Sequence, residues 1–596
     1  MNFFDYIKKF LIFTLKEIYS FFLKLSLFFL IFLVFIFSAV KYFDTKSRSI
    51  KTVSNYNYII FNAAEVPEDK IIGAEIFSDS EKYNITFSEI LSGLDSIKEN
   101  KNVKGVIIDL DNVQVSSAKS EELMKKFKEL KTAGKKIYAF GAYVENSNYT
   151  LASVADEIVM VPSSSASFSL TGYNYSELYF KKFLDNLGVN MEVVRIGEFK
   201  SYGENYTSDT ISDGLKQELT RILENRYSKF TENVSEKRKI NKDTLDKEIV
   251  EGAITSLTPF TARDKKLVDK LESYQAFMER LNVTDDNIAD IYDYYSENRN
   301  AIEGKNRGND AIAVIYAEGS ILYTHDGTNS IAISPQNISE KLEKALETKN
   351  LKGIVLRVNS PGGSALASEI IYQTLLNTGI PIYVSMADTA ASGGYYISMA
   401  GDKVFADNAT ITGSIGVVSM LPRFYNAQNK YGITSNTISK GKYSDMYNAF
   451  TPLSEESRQK IIESMESTYK EFKARVSASR KIDEPLLESY AQGKIWLGDE
   501  AKNIKLVDGI AGLDETIRTM AKDLGLGENY RVENIYAEKD FKEFFKLLSS
   551  LIMNKLDFNS HVKAQIPNGK KLLDEYNLIE ENQNRPMYYY PYGIEF

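Results

Sequence analysis

The chain has 596 residues, of which 43% are hydrophobic and 26% charged, which fits a globular protein of several domains and excludes general disorder. The formal net charge is -9 and no stripe of Lys and Arg is interleaved with aromatic residues, so nucleic-acid binding is not expected. The absence of cysteine excludes disulfides, thiolate nucleophiles and Cys-type zinc sites. The two histidines, His325 and His561, are far from any serine-glycine motif and are interpreted as exposed loop residues. Neither a Ser-His-Asp triad nor a multi-His metal site is therefore expected.

The first 50 residues are predicted to form an amphipathic segment and a membrane anchor. An uncharged run over 25–40, extended toward residue 21, supplies the ~20 residues that a helix needs to span a bilayer core. The run is longer than the ~7 to 15 apolar residues of a cleaved signal peptide, which favours a retained anchor spanning about residues 21–40. Residues 1–19 mix apolar residues with Lys and Glu and are expected to lie along the membrane face. Positive charge is nearly balanced on the two sides, so the charge pattern does not decide the orientation.

Beyond residue 50 the chain repeats itself. Val103–Leu110 (VKGVIIDL) matches Leu351–Val358 (LKGIVLRV), and Ala262–Asp269 (ARDKKLVD) matches Ala501–Asp508 (AKNIKLVD). In each copy the first of these apolar runs is interpreted as a buried strand, and a helical pattern and another strand follow it. Such alternation predicts parallel sheets covered by helices, so the expected fold class is α/β with a tandem duplication. The predicted domains are an N-terminal repeat (51–307), a C-terminal repeat (308–535) and a C-terminal extension (536–596).

Two glycine-rich motifs occur in the second copy alone. Asn359–Ser364 (NSPGGS) corresponds to Asp111–Ser116 of the first copy, which has no glycine, and Ala391–Tyr396 (ASGGYY) corresponds to Glu145–Thr150 (ENSNYT). Paired glycines between a strand and a helix let backbone N–H groups face a ligand, so this loop could hold an oxyanion or a phosphate. A tight turn without a ligand would also explain NSPGGS by itself. The second motif adds Ser392, a candidate nucleophile at a register where the first copy has lost its serine.

A serine nucleophile needs a base, and Lys200 is the candidate. It follows an apolar stretch that ends at Phe199, and burial against apolar residues would lower the pKa of its amine toward the neutral form that a general base requires. A single lysine is more often a surface residue. The second copy, however, has Ser444 at the matching position, so each copy keeps what the other has lost. This complementary loss indicates one site that is built from both copies.

These motifs resemble those of the signal peptide peptidase A family in its long, two-repeat form. The similar segments, which occur in the order of that family, are GEFKS (197–201), NSPGGS (359–364), AASGGYY (390–396), GSIGV (413–417) and the stretch 493–510. The resemblance covers nearly the whole chain after the predicted anchor. It implies a tandem duplication of a ClpP/crotonase-like unit, a serine protease activity and a bowl-shaped homotetramer. It also implies one N-terminal transmembrane helix, with the catalytic body on the extracytoplasmic side of the bacterial cytoplasmic (inner) membrane.

The resemblance implies a role for each residue of the site. Ser392 is expected to be the nucleophile and Lys200 the general base. Ser414 is expected to orient the lysine amine, while the backbone N–H groups of Gly363 and Gly393 form the oxyanion hole. No cofactor or metal is expected, and the sequence has no G-x-x-x-x-G-K-[ST] motif for a nucleotide. The expected substrates are therefore short or unfolded hydrophobic peptides, such as cleaved signal peptides, hydrolysed without ATP.

Three other functions fit parts of the sequence. A penicillin-binding or β-lactamase site could use Ser116 with Lys119, or Ser439 with Lys442, but the partner motifs S-D-N and K-T-G are absent. An acyl-CoA enzyme of the crotonase type would share the fold and a glycine oxyanion hole, yet would need neither Ser392 nor the lysine. A non-catalytic membrane scaffold built on the same fold would need none of these side chains.

The C-terminal extension holds two weaker patterns. Apolar residues recur at helical spacing over 541–552, which is more typical of a packed core face than of a membrane contact. The closing residues 587–592 (MYYYPY) are expected to dock either against a neighbouring subunit or against the C-terminal repeat.

Overall fold

The computed structural model describes residues 56–72, 85–305, 308–324, 332–538 and 587–589. The predicted amphipathic segment and anchor, both histidines and the helical pattern of 541–552 lie outside these ranges. Among the helices inside them, none combines the length and the apolar character that crossing a bilayer requires. From residue 56 onward the described chain belongs to a single compact unit.

The first half contains the strand-helix-strand units that the sequence predicts. Its strands are β1 (Tyr58–Phe61), β2 (Ile71–Ile72), β3 (Gly105–Asp109), β4 (Lys136–Gly141), β5 (Tyr143–Val144), β6 (Glu157–Met160), β7 (Ser167–Phe168), β8 (Asn190–Ile196), β9 (Lys270–Leu271) and β10 (Ile288–Asp290). Its helices are α1 (Phe87–Glu99), α2 (Ser117–Thr132), α3 (Asn146–Ala152), α4 (Lys181–Leu187), α5 (Glu204–Thr207), α6 (Asp213–Arg238), α7 (Lys242–Val250), α8 (Pro259–Asp264), α9 (Tyr274–Arg280) and α10 (Ile291–Lys305).

The second half contains further strand-helix-strand units. Its strands are β11 (Asp310–Glu318), β12 (Leu351–Ser360), β13 (Gly362–Ser364), β14 (Ile382–Ala391), β15 (Lys403–Ala406), β16 (Ile411–Gly413), β17 (Val417–Arg423), β18 (Ile495–Leu497), β19 (Gly509–Ile510), β20 (Tyr530–Ile535), β21 (Ala537–Glu538) and β22 (Met587–Tyr589). Its helices are α11 (Pro335–Leu346), α12 (Ala365–Leu376), α13 (Gly393–Ser398), α14 (Tyr425–Tyr431), α15 (Glu455–Arg480), α16 (Glu484–Tyr490), α17 (Gly498–Asn503) and α18 (Leu513–Asp523).

Each half contains a parallel sheet, and the two sheets have the same strand order. The first runs β10-β1-β3-β4-β6-β9, and the second contains the matching series β20-β11-β12-β14-β15-β19. The two apolar runs that match in the sequence form β3 and β12, so they lie at the same place in the two sheets. Ile107 and Ile108 on β3 are buried, as are Val355 and Leu356 on β12. Because successive residues of a strand lie on opposite faces, both faces of these parallel strands are covered. The prediction of an α/β fold with parallel sheets is therefore confirmed.

The repetition extends to single hydrogen bonds and helix ends. The hydroxyl of Tyr149 donates to the carbonyl of Leu267 at 2.7 Å, and the hydroxyl of Tyr395 donates to that of Leu506 at 2.8 Å. Helices α6 and α15 each have 26 residues and are each ended by a lysine with a φ of 55°. The boundaries proposed at residues 307 and 535 stay predictions.

A third sheet joins the two halves and carries the site. It is antiparallel, with the order β13-β22-β17-β8. Strand β8 comes from the first half, and all seven of its residues pair with β17 of the second half, from Asn190 opposite Arg423 to Ile196 opposite Val417. This pairing holds the segment after β8 against the second sheet.

Candidate active site

Ser392 lies in a sharp turn between the end of β14 and the start of α13. Its backbone has φ 55° and ψ -114°, a conformation that residues with a side chain rarely adopt. The backbone N–H of Ser392 donates to the carbonyl of Gly413 at 2.8 Å. The next two glycines are required because a Cβ at Gly393 would lie 2.7 Å from the Oγ of Ser368, and one at Gly394 would lie 2.6 Å from the carbonyl oxygen of Ser360. A strained strand-to-helix turn of this kind presents the serine hydroxyl to the site.

Lys200, which follows β8, reaches this serine from the other half of the chain. Its Nζ lies 2.7 Å from the Oγ of Ser392 and 3.0 Å from the Oγ of Ser414. It also donates to the backbone carbonyl of Ser414 at 3.0 Å. Two glycines make room for the lysine, since a Cβ at Gly416 would lie 3.2 Å from its Cδ and one at Gly493 would overlap its backbone. The structure thus brings together three side chains that the sequence predicted to share a site.

The electrostatic environment of Lys200 favours the neutral amine. The residue is 1% exposed, and burial lowers the pKa of the amine well below its ordinary value. Within the part of the chain that the structure describes, no carboxylate forms an ion pair with it. Because no carboxylate among the described residues offsets the cost of burying the charge, the amine stays neutral to a lower pH than an exposed lysine does.

Lys119 provides a useful contrast, because it is also buried. Burial alone would lower its pKa, but the carboxylates of Glu68 and Asp388, at 3.7 and 3.8 Å, raise it above the ordinary value. Lys119 is therefore held as a cation, and Ser116 with Lys119 does not form a nucleophile and base. The lysine of the other S-x-x-K pair, Lys442, is 65% exposed and lacks the burial that lowers the pKa of Lys200.

Ser414 adopts a left-handed backbone conformation directly after Gly413. Its φ is 52°, and its N–H donates to the carbonyl of Lys494 at 2.7 Å. This turn aims both its hydroxyl and its carbonyl at the amine of Lys200. The hydroxyl and the carbonyl of Ser414 restrict where the amine can lie and hold it within hydrogen-bond distance of Ser392.

The two glycines predicted to form the oxyanion hole approach each other beside Ser392. A Cβ at Gly393 would lie 3.1 Å from the Cα of Gly362 and 3.2 Å from the backbone nitrogen of Gly363. A Cβ at Gly363 would overlap the carbonyl of Ile321, so this strand also needs a glycine. Gly363 and Gly393 thus lie close to each other on one side of the serine, and their role as an oxyanion hole stays a prediction.

An apolar cluster beside the site was not predicted. Tyr202, Val418 and Met420 are buried there, and Met191, Val193, Tyr206 and Leu322 pack against them. The signal was present in the sequence as alternate residues of two strands, Met191 and Val193 on β8 and Val418 and Met420 on β17. The cluster could not be recognised from the sequence, because the pairing of β8 with β17 was not known. Within the described ranges, no group of three or more His, Asp or Glu side chains is arranged to hold a metal ion.

The chain has an α/β fold with parallel sheets, and a buried lysine lies beside a strained serine. These two features together indicate the class of serine peptidases with a ClpP-like domain. Comparison with known proteins agrees. The chain matches Peptidase family S49 over residues 129–287 and 374–527, and Clp protease over residues 303–412.

Three relatives span most of the chain. It is 30% identical over 485 residues to Protease 4 of Haemophilus influenzae, covering 78% of each protein. It is 31% identical over 473 residues to Protease 4 of Salmonella typhi, covering 76% of this chain and 74% of that one. It is 29% identical over 497 residues to the chloroplastic serine protease SPPA of Arabidopsis thaliana, covering 81% of this chain and 71% of that one. The chain belongs to Peptidase family S49, and the resemblance to the long, two-repeat signal peptide peptidase A is confirmed.

Proposed function

We propose that this chain is a membrane-anchored endopeptidase that uses Ser392 and Lys200 as a catalytic dyad. One observation carries the proposal: the buried Nζ of Lys200 lies 2.7 Å from the Oγ of Ser392, on a lysine whose pKa is lowered by burial. The distance is within hydrogen-bond reach, and the amine has no competing carboxylate among the described residues. Both conditions are required of a general base.

The proposed reaction begins when the neutral amine of Lys200 accepts the hydroxyl proton of Ser392. The Oγ then attacks a peptide carbonyl, and the N–H groups of Gly363 and Gly393 stabilise the tetrahedral oxyanion; loss of one such donor typically costs ~10²–10³ in rate. Lys200 gives its proton to the leaving amine, and an acyl-enzyme remains on Ser392. Water, deprotonated by the same amine, releases the acyl group and restores the serine.

The proposed substrates are cleaved signal peptides and other short or unfolded hydrophobic peptides. Support comes from the apolar cluster around Tyr202 and Met420, which lies on the strands next to the site. Support also comes from the sequence, which has no nucleotide-binding P-loop to drive unfolding of folded proteins with ATP. Chains that are already extended are therefore the natural substrates.

The proposed location is the bacterial cytoplasmic membrane, with one N-terminal span at about 21–40 and the catalytic body on the extracytoplasmic side. The uncharged run at 25–40 supports the membrane anchor. The resemblance to signal peptide peptidase A supports the extracytoplasmic position of the catalytic body. A homotetramer is proposed on the same resemblance. A site tethered to the bilayer surface would meet signal peptides where they are released.

The test is hydrolysis of a fluorogenic peptide by the detergent-solubilised chain. Ser392→Ala and Lys200→Ala are each expected to abolish hydrolysis, whereas the control Lys442→Ala, at an exposed lysine, is expected to retain it. A serine-reactive phosphonate is expected to label Ser392 in the wild type and to leave Ser392→Ala unlabelled. Hydrolysis that persists in either dyad variant would contradict the proposal. An acyl-CoA enzyme or a scaffold would give neither the labelling nor the loss.

A further inference from the structure

The chain's own C-terminal strand lies along the candidate site. Strand β22 (Met587–Tyr589) pairs with β13 on one side and with β17 on the other. Strand β13 carries Gly363, and β17 starts three residues after Ser414. Strand β8, which leads to Lys200, pairs with the far edge of β17. The position between β13 and β17 is therefore one strand wide and is bordered by the elements that carry the site.

The register places the tail across the glycine of the oxyanion hole. Met587, Tyr588 and Tyr589 lie opposite Ser364, Gly363 and Gly362, in antiparallel pairing, and Met587 also lies opposite Val418. A peptide whose carbonyl is to receive the N–H of Gly363 must run through this same position. Tyr588 thus lies where a substrate residue next to the scissile bond would lie.

Strand pairing explains why this position takes extended chains. Without a strand between them, the facing edges of β13 and β17 would leave backbone N–H and C=O groups without strand partners, and an added strand satisfies them. Backbone pairing does not depend on the side chains, so the same edges can accept a substrate or the tail. Among the described residues the tail pairs through Met587–Tyr589, and a peptide that pairs through more residues than these can displace them.

We propose that Met587–Tyr589 is an intramolecular competitor that occupies the substrate position of its own chain. The proposal rests on the proposed function, because it assigns the position between β13 and β17 to substrate. Being part of the chain, the strand acts at an effective concentration that dilution does not lower. Peptides must displace the tail before they bind, so the tail raises the KM and the apparent Kd for substrates.

The first test measures binding without catalysis. The probe is a fluorescein-labelled synthetic peptide with the sequence of residues 587–596, titrated by anisotropy into Ser392→Ala chains. A chain that ends at Pro586 is expected to bind the probe about tenfold or more tightly than the full-length chain. Tyr588→Pro, which removes a backbone donor from β22, is expected to match the truncation. Gln583→Pro, four residues before β22 in the sequence, is the control and should bind as the full-length chain does. Equal affinities in all four chains would overturn the proposal.

The second test measures catalysis on the wild-type serine. Removing residues 587–596 is expected to lower KM for a fluorogenic peptide about tenfold with kcat unchanged, and the synthetic 587–596 peptide should inhibit the truncated chain competitively. An unchanged KM in an active truncated chain would refute the proposal. Cleavage of the wild-type chain within residues 587–590, detected by its intact mass, would refute it as well, because the tail would then be a substrate. If no chain hydrolyses peptide while the truncation still tightens probe binding, the proposed function fails, and what stands is that the tail competes with other peptides for the position between β13 and β17.

Discussion

Arg357 and Glu68 form a fully buried, doubly hydrogen-bonded ion pair that ties the two halves of the chain together. The Nε and Nη2 of Arg357, on β12, donate to the two carboxylate oxygens of Glu68 at 3.1 and 3.0 Å. The same guanidinium reaches Glu122 on α2 at 2.6 Å and the Oγ of Ser385 on β14 at 2.9 Å. Since β12 precedes the Gly363 loop and β14 ends at the site serine, this cluster holds the serine half against the lysine half.

Replacing Arg357 is expected to destabilise the protein strongly. Arg357→Met removes the guanidinium that pairs with the buried carboxylates of Glu68 and Glu122 and leaves Glu68 with Lys119 alone, at 3.7 Å. Breaking a buried ion pair on one side typically costs about 3–5 kcal/mol. The measurement is the urea midpoint of unfolding of the purified chain. The control is Lys460→Met, which removes an ion pair to Glu463 whose members are about half exposed and should leave the midpoint unchanged. Equal midpoints for both variants would contradict a structural role for the cluster.

The lowered pKa of Lys200 predicts an acid limb in the pH profile. Below that pKa the amine is protonated and cannot accept the serine proton, so kcat/KM should rise about tenfold per pH unit and then level off above it. Because burial moves the pKa down from its ordinary value, the plateau should begin well below the pH at which an exposed lysine loses its proton. The profile of kcat/KM for a fluorogenic peptide tests this. A rate that keeps rising to the titration range of an exposed lysine would contradict the assignment.

Ser414→Ala is expected to act on the lysine rather than on substrate. The hydroxyl of Ser414 lies 3.0 Å from Nζ, and losing it leaves the amine less well placed, so kcat should fall by up to about 10²-fold while KM stays the same. The hydroxyl also stabilises the protonated amine, so its removal should move the acid limb to lower pH. Ser414→Thr, which keeps a hydroxyl, should restore part of the rate. A fall in kcat with an unmoved acid limb would indicate a purely structural role.

The residues of the candidate site could be predicted from the sequence, whereas the contacts between the two halves that bring these residues together could not. Ser392 and Lys200 were recognised because each copy has lost what the other keeps, and the structure brings their side chains within hydrogen-bond distance. The pairing of β8 with β17 was not predicted, since strand partners more than 200 residues apart leave no local pattern. The ion pair of Arg357 with Glu68 was missed for the same reason: an arginine in an apolar strand gives no sign of which carboxylate it will meet. The expectation that the tail docks on the C-terminal repeat agrees with β22, but its position beside Gly363 was not foreseen.

The first half holds a site-like turn at the register of Ser392 whose chemistry has been lost. Asn146 occupies the position of the serine, since Tyr149 follows it as Tyr395 follows Ser392. Its amide accepts a hydrogen bond from the N–H of Thr171 at 3.0 Å and donates to the carbonyl of Gly172 at 3.3 Å. Leu170 donates its N–H to Ile254 as Ser414 does to Lys494, so a leucine stands where the lysine-orienting serine would be.

Asn146→Ser should therefore fail to create a second nucleophile. The variant is made in the Ser392→Ala chain and treated with a serine-reactive phosphonate, and the expected result is neither labelling nor hydrolysis. The physical reason is that among the described residues no lysine amine bonds to Asn146, and a serine without a base has an unperturbed hydroxyl. Losing the two amide bonds should also cost about 1–3 kcal/mol of stability, measurable as a lower urea midpoint. Labelling at the substituted position of the Asn146→Ser variant would show that the first half can activate a serine by itself, and the interpretation that this turn has lost its chemistry would then be wrong.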